Sequence, residues 1–164
     1  MPEWLEVLLR WLQATPLGEA VRGTPFMYPT LEALHILGIA LLVGPAFGFD
    51  LRLLGVGRRV MSVTAAARYL LPLSHVGLII AILTGVALIS AQPIVVAGSP
   101  AAPWKFGLLL LAGLNVLIFH RGVYRRVDEW ADAAVTPPAA RIAAGVSMTA
   151  WTGVVFAGRF LAYI

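Results

Sequence analysis

The 164-residue sequence contains no cysteine, and only 12% of its residues are charged. Without thiols there is no disulfide framework, no thiolate-held zinc or iron-sulfur centre and no thiol nucleophile. Either side of a membrane stays open as a compartment. The charged share falls well short of the roughly 25% usual in soluble globular domains, too little to wet the surface of a small globule. Also lacking are a glycine-rich phosphate loop, a His-Glu-x-x-His zinc motif, a nucleophile elbow and a pair of intramembrane carboxylates. Hydrolase and nucleotide chemistry therefore have nothing to rest on. What is abundant is apolar: 60% of the residues are hydrophobic and the mean hydropathy is +0.87. That excess marks an integral membrane protein. The net charge of +4 comes from basic residues at the ends of apolar runs, which is a topology signal and not a nucleic-acid-binding patch.

A spanning helix needs about 20 mostly apolar residues. Four stretches qualify, at about 31–49, 69–91, 104–120 and 141–164. Pro29 and Thr30 are expected to open the first, with Thr30 as its cap, and Asp50 and Arg52 to close it. Pro72 is expected in the first turn of the second, with Pro93 ending it, and Pro137-Pro138 precedes the fourth. The segment from Pro2 to Ala14 sets Glu3, Glu6, Arg10 and Gln13 against Trp4, Leu5, Leu8, Trp11 and Leu12 at helical spacing. That pattern predicts an amphipathic helix lying in the membrane interface, and it lacks the marks of a cleaved secretory signal. The expected fold is an all-α integral membrane four-helix bundle. Residues 1–29 form the interfacial helix and its loop, and 30–164 the spanning domain.

Eight of the twelve basic residues, Arg52, Arg58, Arg59, Arg68, Arg121, Arg125, Arg126 and Arg141, flank one side of the spans. Arg10, Arg22, Lys105 and Arg159 flank the other. The arginine-rich side is expected to be cytoplasmic, with both termini outside, in a bacterial inner membrane. Small residues repeat at every fourth position, as Ala40, Gly44 and Gly48 in the first span and Gly145, Gly153 and Ala157 in the fourth, with Thr149 between. Such stripes pack helices within one bundle or hold two copies together as a homodimer.

Ionisable groups inside a membrane are expensive and are functional candidates by default. Depth sorts them into two sets. His35, Lys105 and Arg159, with Glu32, fall at the outer level. Asp50, His75, His120 and Met148 fall at the arginine-rich level, where Asp50 is expected to pair with Arg52 or Arg121. His35 and His120 are too far apart along the membrane normal to share a metal. Histidine with methionine suits haem iron or copper.

The stretch Leu34-His35-Ile36-Leu37-Gly38, continuing to Asp50-Leu51-Arg52-Leu53-Leu54-Gly55, resembles a family of small, uncharacterised four-span bacterial membrane proteins. Trp104-Lys105-Phe106, Asn115 and Phe119-His120-Arg121 add to that likeness. More distantly, a histidine early in one span and a lysine opening a later span that ends in histidine resembles the HemJ-type protoporphyrinogen oxidases and CopD-like membrane domains. The resemblance implies b-type haem at His35 and a functional role for Lys105.

The expected function is haem-b binding with membrane redox or electron transfer, in contact with a membrane redox partner. His35 leads the cofactor-binding residues, Lys105 and Arg159 serve propionates or an anionic substrate, and His75 and His120 form a second level. The alternatives are a copper- or metal-handling protein using His35, His75, His120 and Met148, and a structural accessory protein without enzymatic activity. No residue is assigned a catalytic role by the sequence.

Overall fold

The computed structural model describes residues 2–131, 133, 135–161 and 163. Helices account for most of them: α1 Glu3–Gln13, α2 Pro16–Gly23, α3 Met27–Leu53, α4 Val63–Ala91, α5 Pro93–Gly98, α6 Ala102–Arg121, α7 Val127–Trp130 and α8 Pro138–Phe160. A short 3-10 turn, Val123–Arg126, joins α6 to α7. α3, α4, α6 and α8 are long and apolar enough to cross a membrane, making a multi-pass all-α membrane protein.

The helices overrun the apolar stretches. Lipid offers no hydrogen bonds to a free backbone, so a spanning helix continues until its ends reach water or protein. α3 therefore begins at Met27, behind an exposed Phe26 held at φ 62°. Thr30 is not the cap: it sits in the first turn, and its hydroxyl donates to the Phe26 carbonyl. α4 begins at Val63, where Ser62 accepts from the Ala65 N–H, so Pro72 lies inside the helix and not in its first turn. α8 starts at Pro138, a residue suited to the first helical position. The fourth apolar stretch ends earlier than expected as a helix, at Phe160; Ala162 and Ile164 lie outside the described residues.

α1 keeps its predicted character, with Trp4, Val7, Leu8 and Trp11 exposed and Arg10 paired with Glu6 at 2.7 Å on the polar face. Nothing in the sequence reading anticipated α2 or α5, which fold back under the same end of the bundle. Thr15 caps α2, and Arg22 clamps it: Nη1 donates to the Ala91 carbonyl at the end of α4, and Nη2 to that of Gln13. Arg22→Met removes both donors, and at this exposed site we expect a loss of about 1–2 kcal/mol, read by thermal unfolding in detergent.

Two helix pairs make up the bundle. α3 packs along α4, α6 packs along α8, and the pairs meet along α3 and α8. Among the described residues no Cα of α4 approaches within 8 Å of α6 or α8, and α6 is the least covered span. α4 therefore does not pack on α6. The α3–α4 crossing is set by Gly38 and Gly77. A methyl added at Gly77 would stand 2.6 Å from the Leu41 carbonyl carbon and 2.8 Å from the Gly38 carbonyl oxygen. On the small-residue stripes, Gly48 faces Leu70 and Gly153 faces Leu108, whereas Gly44 and Gly145 meet nothing within 4 Å.

Candidate functional site

Polar side chains meet inside the bundle at two levels, separated by an apolar layer of Leu42, Ala112, Ala150, Trp151 and Val154. The outer level is built on His35, half-buried on α3. Its ring lies against Gly85 of α4, where any Cβ would come within 3.1 Å of Cε1. One residue earlier, Thr84 places its hydroxyl 2.9 Å from His35 Nδ1. That hydroxyl donates to the Ile80 carbonyl at 2.6 Å, so it has only a lone pair to offer the ring. Nδ1 then carries the proton and donates, and in the neutral imidazole Nε2 holds the free lone pair. A histidine oriented through Nδ1 and open at Nε2 is the arrangement used by metal-ligating histidines. The Ala81 carbonyl also lies beside the ring.

Lys105, in the first turn of α6, is within electrostatic reach of His35, and its side chain runs toward Gly158 of α8. His35 and Lys105 therefore face each other from the two helix pairs. Arg159 does not join them. It is exposed, with its guanidinium 4.6 Å from the centre of the Tyr163 ring and bonded to the Tyr163 hydroxyl.

The inner level is a cavity of about 100 Å³ reached by all four spans. Its polar lining is Asp50 of α3, Ser74 and His75 of α4, Asn115 and His120 of α6, and Ser147 of α8. Phe49, Phe119 and Trp151 supply apolar walls. Ser74 donates to the Leu42 carbonyl at 2.7 Å, and Asn115 Nδ2 to the Ala143 carbonyl at 2.9 Å, each tying one helix to another. His120 Nδ1 donates to the Val116 carbonyl at 2.9 Å, and the ring packs edge-on against Phe119.

Asp50 is 5% exposed, and its Oδ2 has no hydrogen-bond partner. The Ser147 hydroxyl is the group beside this carboxyl. The expected ion pair with Arg52 or Arg121 is not formed: among the described residues neither arginine comes within ion-pair distance of Asp50. Arg52 instead donates from Nε to the Met61 carbonyl at 2.7 Å. Residues two apart on a helix point about 200° from each other, so Asp50 and Arg52 cannot share a side.

His75 and His120 line one cavity, as their common depth suggested, but Met148 is not part of its wall. The inward side of α8 is Ala140, Ala144, Ser147, Ala150, Trp151, Val154 and Ala157. Among the described residues no three His, Asp or Glu side chains gather as a metal site would need. The sequence reading missed Thr84, Ser74 and Ser147, whose signal was a hydroxyl inside an apolar run, and it misassigned Asp50. No protein-family model, no curated protein and no solved structure matches the chain.

Proposed function

We propose that this protein binds haem b between its two helix pairs and serves membrane electron transfer, with His35 as an axial ligand. The observation that carries the reading is the His35–Thr84–Ile80 chain of hydrogen bonds, which in the neutral ring puts the lone pair of a membrane histidine on Nε2, the atom through which it would ligate a metal. The residues fit the group in two further respects. α4 does not pack on α6, and Lys105 brings a cation to the same level as His35, suited to a propionate. When bound, haem supplies one-electron transfer between its ferric and ferrous states. The chain's own contribution is to orient the imidazole, place a cation beside it and keep the surroundings apolar. The eight-arginine end faces the cytoplasm in this reading, within a bacterial inner membrane, and the His35 level lies toward the outer side.

Haem titration into the purified protein tests this. Thr84→Val keeps the side-chain shape but removes the acceptor for Nδ1, and we expect it to weaken haem binding roughly 10–100-fold. Equal affinity in the two proteins would count against the assigned tautomer and hence against His35 as the ligand.

A further inference from the structure

The inner cavity has no part in the haem reading, yet it holds the one buried side-chain oxygen without a hydrogen-bond partner among the described residues. A buried acceptor without a donor is costly and calls for an explanation, usually a water or an ion in contact with it. Room exists: at about 30 Å³ per molecule, a cavity of about 100 Å³ takes roughly three waters. Polar partners exist as well. Asn115 and Ser74 spend a donor on backbone carbonyls and keep acceptor lone pairs, and Ser147 offers a hydroxyl.

The titratable groups are few. His75 lines the Asp50 cavity from α4 and His120 from α6; α8 contributes only Ser147, and Arg52 on α3 is turned to Met61. The Tyr124 ring, beyond α6, packs on Phe49, Phe119 and His120. A buried charge with no counter-ion is costly, and a proton is the smallest cation that neutralises it. His120 is prepared to exchange one. Its Nδ1–H is committed to Val116, so in the neutral ring Nε2 is the free base; His120 is half-buried, and His75 is exposed on α4.

We propose that the Asp50 cavity is a hydrated proton-exchange site, in which Asp50 trades a proton with the His75 and His120 rings through water. The transfer breaks the carboxyl O–H bond and forms an imidazole N–H bond, with water O–H bonds exchanged between them and no electron moved. It gives the arginine-rich end of the bundle a route for protons into the membrane interior, as buried carboxylate and histidine chains do in pumps and transporters.

Infrared spectroscopy of the full chain in phosphatidylcholine and phosphatidylglycerol vesicles tests the site and needs no haem. Difference spectra between acid and alkaline buffer carry bands from all eight Asp and Glu side chains, and we expect Asp50→Asn to remove from them one pair, a carboxylic-acid C=O band and its carboxylate partner, while its amide band stays helical. After rapid mixing with heavy water, the deuterium shift of that C=O band should slow roughly 100-fold in His75→Phe/His120→Phe, the low end of a general acid–base contribution. A wild-type band pair that survives Asp50→Asn, or a double variant exchanging at the wild-type rate, would overturn the proposal. Neither result bears on whether His35 holds haem.

Discussion

The His35→Ala protein is expected to insert and fold normally yet to carry no more than about a hundredth of the wild-type affinity for haem, because an axial ligand is lost and not merely its support. The structural cost should be small. His35 is half-buried and makes one side-chain hydrogen bond, to Thr84, whose hydroxyl keeps its own bond to Ile80. Losing that bond is worth about 1 kcal/mol. Gly85, against which the ring rests, then faces a space left by the imidazole. The measurement is haem per chain after detergent purification and haem supplementation, with helical content by circular dichroism on the same sample. His75→Ala is the matched control: it removes a membrane histidine from the other level and should leave haem content unchanged. Equal haem in both variants would exclude His35.

Gly77→Ala is expected to be the most damaging single methyl in the bundle, destabilising it by about 3 kcal/mol or more, the upper end of overpacking costs. The added carbon would meet backbone, at the Leu41 carbonyl carbon, the Leu42 nitrogen and the Gly38 carbonyl oxygen. Backbone cannot rotate away as a side chain can, so α3 and α4 must separate. Separation would also stretch the Ser74 bond to Leu42, three residues from the crossing. Gly44→Ala, with open space around the new methyl, should be close to neutral. Unfolding of the three proteins in a denaturing detergent series measures the difference. A Gly77→Ala protein as stable as Gly44→Ala would show that the two helices do not cross as described.

The four spans were legible because each is a run of apolar residues of bilayer length, and the amphipathic α1 because its two faces separate at helical spacing. Their ends were less so. Pro29 and Arg68 look like the edges of spans in composition, yet both lie within longer helices. α2 and α5 are too short and too mixed to produce a periodic signal, and their place is fixed by bonds such as that of Arg22 to Ala91.

For the site, depth was legible and direction was not. Residue number along a helix correctly set His35 level with Lys105, and His75 level with His120. Which way a side chain points around an almost uniformly apolar helix leaves little trace in composition, so Met148 and Arg159 were grouped with residues they do not meet. Asp50 is the instructive case. Its neighbour Arg52 invited an ion pair, but a separation of two residues already forbids it on a helix, and that geometric fact was available from the sequence. Likewise the close crossing belongs to Gly38 and Gly77, not to the regular stripe of Ala40, Gly44 and Gly48. A repeat shows where helices are able to approach, and only the partner's own glycine shows where they do.

The most direct test of haem ligation at His35 is the absorption spectrum of the wild-type protein, purified in mild detergent and recorded oxidised and then dithionite-reduced, with haem quantified on the same sample. The account predicts a Soret band and sharp reduced bands at about one haem per chain, both lost in His35→Ala. A wild-type protein that stays colourless after haem supplementation, or a His35→Ala protein with an unchanged spectrum, would contradict it.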